Sequence, residues 1–282
     1  KEYCQELSKL RADVKPLPFS EIKGVIEEEY KLPIQEVFAH IEKEPLGSAS
    51  IAQVHKASLP DGRQVVLKVQ RPGIQQVMAN DILLLRKAAG LLKLLSGGDQ
   101  PVDLDMVLTE MWAVAQEEMN FLKEAGNLLE FEDLNHEIAY IAAPKLEKKL
   151  STGKILVMEY IEGIPIDQIQ TLEAMGYDMT EIGEKLADNY CKQIFDDAFF
   201  HADPHPGNIW IRDGKIVWLD FGMMGRLTAR DKSLFRQAIA ALANRDVYEL
   251  KNVILTLGVV KGKVNHTRLY TDLDDFVTRY GD

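Results

Sequence analysis

The sequence predicts an α+β fold in two lobes. Three observations predict it: a pair of strands in the first third, a mainly helical second half, and one short hairpin set among those later helices. Taken in order, Pro33 followed by Ile34, Val37, Phe38 and Ile41 reads as a helix begun by proline at its first position. Stretches 52–59 and 64–70 flank Pro60-Asp61-Gly62 and read as two strands joined by a tight turn, with Pro72 closing the second. Helices are predicted over 77–95 and 104–131, separated by the breaker Ser96-Gly97-Gly98. A short apolar strand over 155–159 runs into Gly163 and Pro165. Helices follow over 181–197, 230–243 and 247–257, interrupted by strands 209–212 and 215–219 around Asp213-Gly214. The lobe boundary falls near Tyr160 to Gly163, giving an N-lobe over 1–160, a C-lobe over 161–282 and a cleft between them.

Composition narrows the function. Of 282 residues, 33 are Lys or Arg and 44 Asp or Glu, a net charge of −11, and no long basic stripe appears, so a nucleic-acid partner is not expected. The two cysteines, Cys4 and Cys191, lie far apart, which argues against a disulfide scaffold and fits a reducing cytoplasm. The leucine-rich stretch 82–95 is cut by Arg86, Lys87 and Lys93, so it reads as an amphipathic helix rather than a membrane span.

The densest chemistry lies in His201-Ala202-Asp203-Pro204-His205-Pro206-Gly207-Asn208, followed by Asp220-Phe221-Gly222. If Asp213-Gly214 makes a two-residue hairpin, paired positions sum to 427, and Gly207 faces Asp220 with Asn208 beside it. One amide and one carboxylate then share a sheet edge, a donor set that suits Mg²⁺, which takes few protein oxygens and keeps water and phosphate as its other ligands. Asp203 precedes Asn208 by five, the separation of catalytic Asp and metal-binding Asn in the kinase catalytic loop. An Asp-Phe-Gly tripeptide alone is a frequent turn, and His-x-Asp alone is weak. Together, joined by a readable hairpin, they favour phosphate chemistry. A transition-metal site from His201, Asp203 and His205 is the alternative, opposed by the stiff prolines 204 and 206. His201 suits an architectural part, and His205 stays open.

In the first lobe, Lys68 stands in Val65-Val66-Leu67-Lys68, similar to the kinase strand Val-Ala-Ile-Lys. With a two-residue turn at Asp61-Gly62, paired positions sum to 123 and Lys68 faces His55. Back along that strand, Gly47-Ser48-Ala49-Ser50-Ile51-Ala52-Gln53-Val54 falls on Gly-x-Gly-x-x-Gly-x-Val, with Ala49 and Ala52 in place of two glycines. A lysine beneath such a loop is a point charge for α- and β-phosphates; the plain alternative is a surface strand lysine.

These segments, with Leu67-Lys68-Val69-Gln70-Arg71-Pro72-Gly73-Ile74, resemble the UbiB-type family of atypical kinases, and Ala49-Ser50-Ile51-Ala52-Gln53-Val54-His55 is the most specific mark. The resemblance runs over nearly the whole chain and implies a protein-kinase-like fold with extra helices in the N-lobe. By position it implies that Lys68 holds ATP phosphates and Glu124 pairs with it, across 56 residues. It further implies that Asp203 is the catalytic aspartate, that Asn208 and Asp220 bind Mg²⁺, and that Met158, Glu159, Tyr160 and Ile161 meet adenine. Gly47, Ser48, Ala49, Ser50, Ala52 and Val54 would cover the phosphates. The implied partners are ATP and ADP, with prenyl-lipid or quinone precursors and the membrane surface. The implied location is the cytoplasm, peripheral at the inner face of a membrane.

Two departures stand out. The family's Lys-x-Gly-Gln helix is expected upstream of Lys1, so the chain reads as a fragment, and its Glu-x-Asp appears as Glu118-Met119-Asn120. The resulting expectation is an ATP-hydrolysing or phosphate-transferring atypical kinase that supports isoprenoid-quinone or related lipid metabolism. The rivals are a small-molecule phosphotransferase of the choline or aminoglycoside kinase kind, and a nucleotide-binding scaffold without turnover. The Ala-Ser-Ile-Ala-Gln-Val-His segment speaks against the first, and the presence of Lys68, Asp203 and Asp220 against the second.

Overall fold

The computed structural model describes residues 14–95, 104–258 and 263–280. The breaker expected at Ser96-Gly97-Gly98 lies outside them. The described residues are α+β and fall into two compact units, one made of those within 1–177 and 205–223, the other of those within 178–204 and 224–282. This division differs from a single boundary near residue 160, because the hairpin after residue 205 packs with the first part of the chain. Among the described residues, no helix is long and apolar enough to cross a membrane.

The first unit is built on an antiparallel sheet in which His40–Ile41, Ala52–Ser58, Gln64–Gln70 and Ile155–Glu159 lie in that order. Gly47–Ser48 pairs with the strand Ala52–Ser58. Strand alternation sorts the 64–70 side chains onto two faces. Val65, Leu67 and Val69 bury against Ile22 and Ile26 of the helix Phe19–Tyr30. The other face carries Val66, Lys68 and Gln70, and there Leu156 packs on Phe121 and Ala125 of the helix Phe121–Asn135. Period two therefore delivers Lys68 to the side where that helix lies.

The turn between these strands differs from the two-residue expectation. Val54 pairs with Lys68, and His55 with Leu67, so the register is one residue off. Leu59 N–H donates to Arg63 O at 2.9 Å, which makes Pro60-Asp61-Gly62 a three-residue loop, with only Gly62 at positive φ (89°). The helix expected over 104–131 is two, Leu104–Glu118 and Phe121–Asn135. Asn120 separates them by capping the second, its side-chain oxygen accepting from Leu122 N–H at 3.2 Å. Glu117 and Glu118 thus belong to the preceding helix. The helix predicted from 77 is longer, Ile74–Leu95, and Pro33 caps Ile34–Val37 from outside rather than beginning it.

A second sheet in this unit orders Ile141–Ala142, Lys215–Trp218, Ile209–Arg212 and Ile164–Pro165. Its hairpin follows the expected register: Lys215 pairs with Arg212 and Trp218 with Ile209. Asp213 (φ 51°) and Gly214 (φ 75°) both take the left-handed conformation that a two-residue turn requires.

In the second unit, Phe199–His201 pairs with Met224–Arg226. The helices are Met179–Lys192, Ala229–Ala243, Val247–Leu257 and His266–Tyr280. The first ends in a π-turn, Gln193–Asp197, where the sequence predicts continuous helix. Asp178, Thr228 and Asp246 cap three of these helices with their side chains. Ala241, Val247, Leu250 and Val277 bury together as a core for the last three.

Candidate active site

The best-built polar cluster lies within the first unit. Lys68 Nζ donates to Glu124 Oε1 at 3.0 Å and Oε2 at 2.9 Å, and to Asp220 Oδ1 at 3.3 Å. The Glu124 side chain is 5% exposed, Lys68 18% and Asp220 50%. The cluster is thus dry at Glu124 and open at Asp220. Burial is the largest influence on Glu124 and pushes its carboxyl up to about 7, against the pull of Lys68. Burial also works against the Lys68 charge, but Glu124 and Asp220 outweigh it and hold lysine above its ordinary range. At Asp220 burial opposes ionisation, and Lys68 with the Gly222 N–H overcomes it, keeping this carboxylate below its usual range. Two carboxylates divide one ammonium, and Asp220 is the more firmly ionised of the two.

Asp220 is presented by its backbone. It sits at φ 51°, and its Oδ1 accepts from Gly222 N–H at 3.1 Å. Leu219 N–H donates to Asn208 O at 2.8 Å, so the hairpin sets Asn208 one position from Asp220 on the facing strand. An amide and an ionised carboxylate at one sheet edge fit the few oxygen ligands that Mg²⁺ takes from protein. His205, left open by the sequence, accepts from Gly207 N–H at 3.0 Å through Nδ1 and caps the turn Pro206–Asn208. Trp210 Nε1–H holds the same turn at Gly207 O, at 2.9 Å.

Behind the site, Phe131 packs against Phe221 with the rings tilted and 5.0 Å between centroids, and meets Trp218 edge-on at 6.2 Å. All three are at most 1% exposed. Asn127, one turn after Glu124 on the same helix, donates to Phe221 O at 2.9 Å. Sequence reasoning missed Asn127, although its spacing from Glu124 was the available signal. Phe131→Ala is expected to cost about 3–5 kcal/mol of stability through the cavity it leaves. Chemical denaturation checks this, and a loss under about 1 kcal/mol would mean that the aromatic cluster does not set the core.

The remaining predicted positions divide. Glu159 accepts from Arg212 Nη1 at 2.7 Å and from Lys145 N–H at 3.1 Å, so its carboxylate is committed to structural pairs. Met158 precedes it in the 155–159 strand, Tyr160 lies under the Lys56 ammonium at 4.1 Å, and Ile161 is buried. Gly47 and Ser48 form a short strand, and Val54 pairs with Lys68. No residue from 47 to 52 has positive φ, and Ala49 N–H donates to Ala52 O at 2.8 Å. The alanines therefore take a path without left-handed strain. In the second unit, Asp203 follows the 199–201 strand, whose His201 N–H donates to the buried Gln193 Oε1 at 3.0 Å.

Fold and cluster together define a kinase-like protein, and the comparisons specify which kind. Residues 9–254 match the model of the ABC1 atypical kinase-like domain, and the chain belongs to that family. A Clostridium pasteurianum protein described as lying in the hydrogenase 1 5′ region is 41% identical over 278 residues, 99% of this chain and 52% of that protein. A probable protein kinase UbiB of Marinobacter nauticus is 35% identical over 92% of this chain and 48% of its own length. The chain thus spans about half of these two relatives. Among solved structures, the Mycobacterium tuberculosis Rv3197–erythromycin complex superimposes with a TM-score of 0.70 at 25% identity, covering 100% of this chain and 69% of that one.

Proposed function

We propose that this chain binds Mg-ATP and either hydrolyses it or transfers its γ-phosphate, in support of isoprenoid-quinone or related lipid metabolism at a membrane surface. The Lys68–Glu124–Asp220 cluster carries this reading, because it holds a cation and an ionised carboxylate side by side with only the carboxylate end open. Glu124 keeps the ammonium in place, so that Lys68 would meet phosphate oxygens as a fixed point charge. Asn208 and Asp220 would hold Mg²⁺, which neutralises charge on the phosphates. Asp203 would accept the proton of the attacking hydroxyl or water. Met158 to Ile161 would meet adenine through the backbone, since the Glu159 side chain is already paired. The similarity to a probable protein kinase UbiB supports the phosphate-transfer part of this reading.

Phosphate release from ATP, measured with and without vesicles carrying isoprenoid quinone, tests the proposal. The wild type is expected to turn over, with Asp203→Asn slower by about a hundredfold or more. Nucleotide binding without release, equal in both proteins, would favour a scaffold instead.

A further inference from the structure

Arg71 follows the Lys68 strand and makes contacts that the reading above leaves unused. Its backbone N–H donates to Ile51 O at 2.8 Å. Its side chain then forks: Nε donates to Ala49 O at 2.7 Å, and Nη2 to Ser48 Oγ at 2.7 Å and to Lys15 O at 3.0 Å. One guanidinium therefore grips both the 48–51 loop and segment 14–17. That segment is tied at two further points. Val14 N–H donates to Ser48 O at 3.2 Å. The buried Gln53 side chain accepts from Leu17 N–H at 2.9 Å and donates to Leu17 O at 3.3 Å. Gln53 is itself oriented by His55, whose Nδ1–H donates to Glu42 O at 2.8 Å, leaving Nε2 to accept from Gln53 at 3.0 Å.

The consequence follows from peptide geometry. In a trans peptide the carbonyl and the next N–H point in opposite directions. Holding Ala49 O on the guanidinium therefore aims the Ser50 N–H away from Arg71 as a fixed donor. Donors fixed before a ligand arrives cost no reorganisation when an anion binds.

We propose that Arg71 is a positioning residue for the phosphate end of the nucleotide site, coupling the 48–51 loop to segment 14–17. This rests on the nucleotide reading above. Calorimetric titration of wild type, Arg71→Met and Arg71→Lys with Mg-ATP and with adenosine tests it. Arg71→Met is expected to bind Mg-ATP about tenfold more weakly, with adenosine affinity held within about twofold. Arg71→Lys keeps the charge but not the fork, and is expected to fall between the two. A merely structural arginine would lower Tm while leaving the ratio of the two affinities unmoved, and that result overturns the inference. If Arg71→Met does not fold, the lysine variant decides, and an unchanged ratio there overturns it equally. A wild type that binds neither ligand removes the nucleotide reading itself, and this inference with it.

Discussion

Replacing Lys68 with alanine is expected to lower ATP turnover by about a hundredfold or more, the cost typical of removing one preorganised electrostatic group. Glu124→Ala should approach that loss, and the double variant should be no worse than Lys68→Ala by more than about threefold. The two single changes reach the same defect by different routes. Without Lys68, the buried Glu124 has no cation and takes up a proton rather than carry an unpaired charge. Without Glu124, the ammonium keeps only Asp220, at 3.3 Å, and so occupies the carboxylate proposed to hold Mg²⁺. In both variants a phosphate group meets no correctly placed cation. Steady-state turnover of the four proteins gives the coupling. Losses that multiply strictly would show that the two side chains act independently.

Much of this geometry was legible in the sequence where local rules suffice. Asp213-Gly214 can place two successive residues at positive φ, so the two-residue hairpin and the proximity of Asn208 and Asp220 followed from counting. The same count failed at Pro60-Asp61-Gly62. A two-residue turn at Asp61-Gly62 would pair Pro60 with Arg63, and proline has no N–H to donate across that pair; Leu59 N–H takes Arg63 O instead, and the three-residue loop shifts the register by one. Strand alternation separates Lys68 from its buried neighbours but does not name its partner. Glu124 is 56 residues away, and only the family resemblance pointed to it. The break at Asn120 carried a readable signal, because asparagine ahead of an amphipathic stretch is a good helix cap. Arg71 left no such trace. Three of its partners are backbone carbonyls, which any sequence supplies.

The central claim is that Asp220 holds a metal ion against bound phosphates, and Asp220→Asn tests it with little other disturbance. Asparagine tolerates positive φ as aspartate does, so the φ of 51° can persist. Its amide oxygen can still accept from Gly222 N–H, the bond now made at 3.1 Å. What the substitution removes is the charge. Thermal unfolding is measured with ATP alone and with ATP plus Mg²⁺, in both proteins. At ligand about a hundredfold above Kd, binding adds about 2.7 kcal/mol to wild-type stability. The account predicts that Mg²⁺ raises the Tm of the ATP-bound wild type by several degrees, and that Asp220→Asn loses most of that increment while responding to ATP alone much as wild type does. A Mg²⁺-dependent increment of equal size in the two proteins would contradict it.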